Sequence, residues 1–369
     1  IVGMKGNLKF DMMDCRKHVL RLMVVVLAVL SFTGCKKSPD KILEENGPGV
    51  VMIVNQYYYK ITLPTGAEWY FTGFDKDGDM ENFTFDESEI LKNKAMITGT
   101  GFIISKDGKI LTNRHVATPS IDFTDAKHSV ENVFNSLKQM IQEQMRQMSS
   151  RYDELESEKS DCYSYDYWGD VTTDEDKLNE INVEQSQLGE SYRTAADTWN
   201  KIDNIDVSEI KIEPVYDLSV AYNNTFVTKL TDLASCVVTA VSKDTDVDLA
   251  MLQLKNKKTP DNAAVLEFAD DDNDINVDDK LYMIGYNAGF SLSNTSQGIK
   301  AQITSGNISQ TSDNNKIMYT IPALPGSSGS PVLNEYGKIV AVNFAGVSTT
   351  QSFNYGIKLK KVKRFIDEN

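Results

Sequence analysis

The eight residues from 324 to 331, LPGSSGSP, constrain the fold of this chain more than any other stretch. Gly326 and Gly329 flank Ser328, and glycine tolerates the positive φ angles that a tight turn requires. In such a turn successive backbone N–H groups can point into one small space, which can hold a developing negative charge. For an isolated GxSG pattern the simpler interpretation is a surface loop, so the rest of the chain has to decide between the two.

Two other stretches supply the partners that a reactive serine needs. Residues 99–116, GTGFIISKDGKILTNRHV, end a strand pattern at His115, and residues 246–254, DVDLAMLQL, place Asp248 directly before an apolar run. Serine is a poor nucleophile until a base takes its proton, and a neutral imidazole can do so when a carboxylate fixes its tautomer. Asp246 is the alternative acid, and Asp248 is preferred because LAML follows it immediately.

With these motifs the sequence resembles the trypsin-like serine proteases, and within them the HtrA/DegP-type branch. TNRHV at His115, DLAML at Asp248 and PGSSGSP at Ser328 carry the resemblance, in the chain order of the family. It implies a mostly β fold of two six-stranded antiparallel β-barrels of the chymotrypsin type. It also implies hydrolysis of a protein or peptide through an acyl-enzyme, without a cofactor. The backbone N–H groups of Gly326 and Ser328 would form the oxyanion hole.

The same resemblance assigns the substrate pocket. Its floor falls on Pro322 and its wall on Ala345 and Gly346. None of these is a carboxylate that could bind a Lys or Arg side chain, so we expect a preference for small or medium apolar side chains. Ser327 stands where the family usually has asparagine or aspartate, and Ser330 stands where it often has glycine.

Residues 1–35 are predicted to be a bacterial lipoprotein signal peptide. Basic residues precede an apolar run at 22–30 that is too short to span a bilayer comfortably. SFTGC follows and ends at Cys35, whose acylation would anchor the protein to a membrane of the bacterial cell envelope, in the periplasm or at the cell surface. Phe32 occupies the usual leucine position, so an ordinary secretory signal is the alternative.

The mature chain is predicted to consist of a polar tether at 36–47 and a protease domain at 48–369. The first three residues, IVG, match the terminus that pairs with an aspartate in activated trypsins. The corresponding position here is Ser327, so we expect no zymogen-type activation. We also expect no PDZ domain after the protease domain.

A helical insertion at 125–205 separates His115 from Asp248. Apolar residues recur there at spacings of three and four, and they are Val130, Phe134, Leu137, Ile141, Met145, Met148, Tyr152 and Leu155, then Leu178, Ile181, Leu188, Tyr192, Ala195, Trp199 and Ile202. Gln185 fills one apolar slot of the second, heptad-like run. Two amphipathic helices around a loop with Gly169 predict an antiparallel hairpin. Its stripes could be buried internally or on the barrel, which is the simpler interpretation, or they could bind a partner protein or a second subunit.

Composition excludes several classes of site. The net charge of −15 argues against a surface for nucleic acid or anionic membranes. The acidic stretch 75–89 resembles a calcium loop only superficially, because its glycine comes too early, and no CxxC motif or histidine cluster predicts a metal site. Cys162 and Cys236 are the cysteines of the mature body, and two free thiols are favoured over a disulfide.

Two other functions stay open at this point. One is an inactive or latent protease-fold lipoprotein that acts as a binding or chaperone-like module. The other is a surface lipoprotein in which the helical hairpin is the functional part and the barrels are its scaffold.

Overall fold

The computed structural model of the protein describes residues 36–271, 275–310, 315–346 and 353–369. The predicted signal peptide and its Cys35 lie outside the described residues, and Ala345 and Gly346 are described by their backbone alone. Within those ranges no helix combines the length and apolar character that crossing a membrane would require.

The strands, in chain order, are β1 (Val50–Thr62), β2 (Glu68–Phe71), β3 (Gly73–Phe74), β4 (Met80–Glu81), β5 (Ala95–Ile103), β6 (Lys109–Thr112), β7 (Tyr163–Tyr165), β8 (Val171–Thr173), β9 (Lys211–Tyr222), β10 (Ala234–Val241), β11 (Ala250–Leu254), β12 (Lys280–Gly285), β13 (Asn294–Thr295), β14 (Gly298–Ile299), β15 (Gln302–Gln310), β16 (Lys316–Tyr319), β17 (Pro331–Leu333), β18 (Ile339–Gly346) and β19 (Asn354–Lys358). The α-helices are α1 (Pro39–Asn46), α2 (Glu87–Ile90), α3 (Arg114–Ala117), α4 (Phe123–Ser160), α5 (Glu175–Asp203), α6 (Phe290–Ser293) and α7 (Leu359–Asp367).

The strands form two closed antiparallel barrels. In the first barrel the strand order is β1, β5, β6, β11, β10 and β9, and β9 pairs with β1 to close it. In addition, β2 pairs with the last residues of β1, Tyr59–Thr62. In the second the order is β12, β15, β16, β19, β18 and β17. The prediction of two six-stranded barrels with a long helical region is therefore confirmed.

The chain divides into two compact units. The first contains residues up to 55 together with 97–117 and 218–369, and the second contains 56–96 and 118–217. The second barrel and the three sequence motifs belong to the first unit. The core of that unit includes fully buried residues from strands of both barrels, among them Val50, Phe102, Tyr286 and Val342.

The segment predicted to be a tether is partly helical. Ser38 caps α1, because its Oγ accepts a hydrogen bond from the Lys41 N–H at 3.3 Å, and proline at the first helical position suits a helix start. Ile42 of this helix is fully buried in the core of the first unit. The structure thus differs from the expected tether: a capped helix docks residues 39–46 through Ile42, with Leu43 packed beside it.

The insertion forms a long helical hairpin, α4 and α5. Lys138 Nζ lies 2.9 Å from Asp203 Oδ1, and Arg151 Nε lies 2.9 Å from Glu184 Oε1, so the two helices run antiparallel. At the base, Phe134 packs edge-on against Trp69 at 5.1 Å between ring centroids. Aromatic side chains of β1 and β2 thereby cover the first turns of α4.

The far end of the hairpin has its own small core. Leu155, Cys162 and Ile181 are buried together. Gln185 is also buried, and its amide donates to Glu156 Oε2 at 3.0 Å, which is how a polar residue occupies an apolar slot. The predicted loop between the helices is a short β-hairpin of β7 and β8, with Gly169 at φ +88° in its turn. Cys162 and Cys236 are both buried free thiols.

Candidate active site

His115 lies at the end of a strand hairpin. β5 and β6 pair with Phe102 opposite Leu111, and the turn between them uses Gly108 at φ +82°. After β6 the chain enters α3, whose end is held by the Asn55 amide, which donates to the carbonyls of Val116 and Ala117 at 2.9 and 3.1 Å. The side chain of His115 is 46% exposed, so the imidazole is anchored by its neighbours but open to solvent.

Asp248 reaches His115 because of the register between β6 and β11. Ala250 pairs with Thr112, so the residues just before β11 lie beside those just after β6. The Asn113 amide donates to the Asp248 carbonyl at 2.8 Å. Asp248 Oδ1 accepts from the His115 backbone N–H at 3.1 Å, and Oδ2 lies 2.5 Å from Nδ1. Both carboxylate oxygens therefore fix the histidine.

The pKa of Asp248 lies below its usual range. Burial alone would raise it, but the hydrogen bond and charge of His115, the backbone N–H of His115 and the charge of Arg114 together outweigh burial. The carboxylate is therefore ionised at neutral pH and can hold Nδ1–H, which leaves Nε2 as the free base. The rival Asp246 is exposed, and its backbone N–H donates to Asp244 Oδ1 at 3.0 Å.

The turn that carries Ser328 is fixed by residues of the first barrel. Thr100 N–H donates to the Ser328 carbonyl at 2.8 Å, and Thr100 Oγ1 donates to the Gly326 carbonyl at 2.8 Å. A Cβ at Gly329 would lie 2.1 Å from the Thr100 carbonyl and 3.1 Å from the Asn113 N. The turn thus lies directly on the backbone that precedes His115, and only glycine fits there.

Three of the five backbone N–H groups between Gly326 and Ser330 donate hydrogen bonds within the protein. Those that are bonded are the N–H groups of Ser327, Gly329 and Ser330, which donate to the carbonyls of Leu324, Asn343 and Ser327 at 2.9, 2.8 and 3.1 Å. In the described part of the chain no acceptor is found for the N–H groups of Gly326 and Ser328. These are the two donors that the sequence assigns to an oxyanion hole.

The loop after β12 supports the turn from the other side. The Ala288 N–H donates to the Pro325 carbonyl at 2.6 Å. In a trans peptide the N–H of the next residue, Gly326, points to the opposite side from that carbonyl. A Cβ at Gly326, where φ is +97°, would lie 2.4 Å from the Tyr286 carbonyl. The loop therefore both orients the peptide bond before Gly326 and requires glycine at that position.

The predicted pocket residues are only partly described. Pro322 is exposed and follows the fully buried Ile321. The backbone of β18 places Ala345 opposite Tyr355 and Gly346 opposite Asn354 on β19, while the side chain of Ala345 is outside the described part. Among the described residues no group of His, Cys, Asp or Glu could hold a metal ion.

Sequence reasoning missed Thr100, Asn113 and Asn343, which hold the three motif segments together. Thr100 lies between Gly99 and Gly101, a signal that the backbone there is approached closely. The other two look like ordinary strand-end and strand amides, and nothing in the sequence distinguishes them.

Residues 182–342 match the family of trypsin-like peptidase domains. This part of the chain is therefore similar to the trypsin-like peptidases. The matched region includes Asp248 and Ser328 and begins after His115, which precedes the insertion.

A relative supports the HtrA/DegP-type branch of this peptidase family. The probable periplasmic serine endoprotease DegP-like of Hahella chejuensis (strain KCTC 2396) is 35% identical over 109 residues. The alignment covers 28% of this chain and 23% of that protein, so the chain spans about a quarter of the relative's length. The crystal structure of the serine endoprotease from Yersinia pestis has 14% identity and a TM-score of 0.42, over 90% of this chain and 67% of that chain.

Proposed function

We propose that the protein is an exported serine endopeptidase that works through an acyl-enzyme. Ser328 Oγ attacks the scissile carbonyl, and His115 Nε2 takes the serine proton and then donates it to the leaving amine. Asp248 holds the histidine tautomer and stabilises the imidazolium. The contact of both Asp248 oxygens with His115 is the observation that carries the proposal.

The oxyanion is assigned to the N–H groups of Gly326 and Ser328. Their lack of an internal acceptor supports this assignment, because a donor already bonded within the turn could not stabilise a developing charge. Removing one such donor typically costs about 10²–10³ in rate. The exposed Pro322 at the pocket-floor position supports cleavage after small or medium apolar residues, which a peptide library would test: a preference for Lys or Arg would contradict it.

The decisive experiment is labelling with a fluorophosphonate probe. The probe reacts with an activated serine beside a formed oxyanion hole and needs no known substrate. We expect the purified protein to label, and Ser328→Ala to lose the signal completely. An Asp246→Asn variant serves as the control, because it removes a neighbouring carboxylate that does not contact His115. Absence of labelling in the folded protein would refute the proposal.

Attachment to the bacterial envelope through a lipid on Cys35 is also proposed. The motif at 31–35 supports it, and the relative from Hahella chejuensis is named as periplasmic. Expression of the full chain with radiolabelled palmitate should give a labelled, membrane-associated protein, while Cys35→Ala should remain unlabelled. Equal incorporation in both forms would contradict lipidation at this residue.

A second function, binding of a partner protein by the helical hairpin, is favoured by the aromatic side chains at its tip. Tyr165, Tyr167 and Trp168 are 73%, 94% and 84% exposed. The carboxylates around them, with no basic residue among 161–176, are Asp161, Asp166, Asp170, Asp174, Glu175 and Asp176. Exposed rings beside carboxylates favour a cationic protein segment, which both can attract.

An oligolysine peptide tests this binding. It should change the tryptophan fluorescence of the protein, and the change should be lost in Trp168→Ala but not in Trp199→Phe, which alters α5 close to its end at Asp203. An unchanged signal with the peptide would exclude the cationic partner. Deletion of 125–205 separates the two functions, since we expect the peptidase activity to survive it.

A further inference from the structure

The nucleophile turn is held from behind by one amide. The Asn343 Nδ2 donates to the Ser327 carbonyl at 2.9 Å and lies 3.3 Å from Ser327 Oγ. The backbone of Asn343 also bonds the turn on both sides, to Gly329 N at 2.8 Å and to the Ser330 carbonyl at 2.9 Å. The Ser327 carbonyl shares a peptide plane with the Ser328 N–H, so whatever fixes this carbonyl also fixes that proposed oxyanion donor.

A tyrosine from another strand orients that amide. Tyr319 is fully buried, and its hydroxyl donates to Asn343 Oδ1 at 2.8 Å. The Ser327 carbonyl can only accept, so the amide presents Nδ2 to it, and Oδ1 is left to accept from the Tyr319 hydroxyl. The group is neutral and almost without solvent, since Asn343 is 2% exposed.

A glycine makes the contact possible. Tyr319 is on β16 and Asn343 is on β18, with β19 between them in the barrel. Tyr319 pairs with Asn354 of β19, and Asn343 pairs with Gly356. A Cβ at Gly356 would lie 2.9 Å from Tyr319 Cε1 and 3.3 Å from its hydroxyl oxygen. The ring therefore crosses β19 over the one residue that has no side chain.

From this geometry we propose that Tyr319 and Asn343 are positioning residues that hold Ser327, and with it the oxyanion donor N–H of Ser328, in the reactive arrangement. This inference rests on the proposed peptidase function and adds the means by which the turn is kept in place. Position 327 holds a serine, which cannot form an ion pair, so the restraint comes from neutral hydrogen bonds inside the barrel.

The test compares conservative variants by the two constants of fluorophosphonate labelling, the maximal rate and the apparent affinity. Tyr319→Phe keeps the ring and removes the hydroxyl. We expect the maximal rate to fall roughly three- to tenfold, the range of one neutral hydrogen bond, with the affinity unchanged. Asn343→Leu removes the amide, and we expect a fall of up to about 10². Gly356→Ala displaces the ring and should resemble Tyr319→Phe.

A matched control separates positioning from stability. Tyr70 is also buried, and its hydroxyl donates to Glu68 Oε2 at 2.9 Å in the second unit. Tyr70→Phe also removes one tyrosine hydroxyl bond, here to a partly exposed carboxylate, and it should lower the melting temperature without changing the labelling rate. All variants are compared well below their melting temperatures, so that a folding defect is not mistaken for slow chemistry.

The outcomes distinguish this inference from the function on which it rests. If the unaltered protein labels and Tyr319→Phe labels at the same maximal rate, the positioning role is refuted while the peptidase function stands. If Asn343→Leu does not fold, Tyr319→Phe and Gly356→Ala still decide. If the unaltered folded protein does not label at all, the peptidase function fails, and the positioning role fails with it.

Discussion

A methyl group at Gly326 should abolish most of the reactivity of Ser328 while leaving the fold intact. The φ angle of Gly326 is +97°, and a Cβ there would lie 2.4 Å from the Tyr286 carbonyl and 2.8 Å from the Gly289 N. Both contacts are with backbone, which cannot rotate away as a side chain can. In Gly326→Ala the turn must therefore move, and the Gly326 N–H moves with it.

The size of the effect follows from two contributions. A residue with a side chain at such a φ costs about 1–2 kcal/mol, which lowers stability without preventing folding. Loss of one oxyanion donor lowers the rate by about 10²–10³. We therefore expect the fluorophosphonate labelling rate of Gly326→Ala to fall by roughly the second amount, because strain alone would not change a rate measured on folded protein.

Gly66→Ala provides the matched control. Gly66 has a φ of +84°, and a Cβ there would have no atom within 4 Å, so the variant has the backbone strain without the clash. Urea unfolding should show a loss of stability in both variants, larger in Gly326→Ala because of the clash, and the labelling rate should fall only in Gly326→Ala. A Gly326→Ala protein that labels at the unaltered rate would refute the assignment of this N–H to the oxyanion.

Three further predictions concern other parts of the molecule. The folded-state pKa of Asp248 is lowered, so the unaltered protein should be more stable than Asp248→Asn above about pH 4. This difference should disappear as the pH falls through the lowered pKa. Urea unfolding between about pH 2.5 and about pH 7, in steps of about half a unit, would check this. Burial raises the pKa of Cys236 to about 12, although Lys255 opposes it, so iodoacetamide at about pH 8 should modify Cys236 only after unfolding, and rapid native modification would contradict this. Gln185→Leu should stabilise the hairpin by about 1 kcal/mol in thermal unfolding. A lower melting temperature would contradict this and show that the bond to Glu156 contributes more than apolar burial.

The barrels and the His115–Asp248 pair could be predicted because their signals are local. A glycine turn in the β5–β6 hairpin, apolar strands and a motif at each strand end define where the functional side chains emerge. Side chains alternate between the two faces of a strand, so a register shift of one residue would move each side chain to the opposite face of the sheet. In the structure Ala250 pairs with Thr112, and this register brings Asp248 next to His115.

The support for the nucleophile turn could not be predicted, because it depends on residues brought together by three strands. Tyr319 and Asn343 are separated in sequence, and each looks like an ordinary strand residue. Their contact follows only from the order β16, β19, β18 and from the absence of a side chain at Gly356. Barrel order is a property of the whole chain, so no local pattern contains it.

The helical hairpin shows what an apolar period can and cannot say. The period identified α4 and α5, but burial along them is confined to the two ends, where Phe134 meets aromatic rings of β2 and Leu155 meets Ile181 and Cys162. Between these ends Met148 and Ala195 remain half-exposed. Two helices share one seam and cannot enclose both faces of each stripe, so full burial requires a third element. Spacing therefore defines the apolar face, and only the tertiary structure determines how much of it is covered.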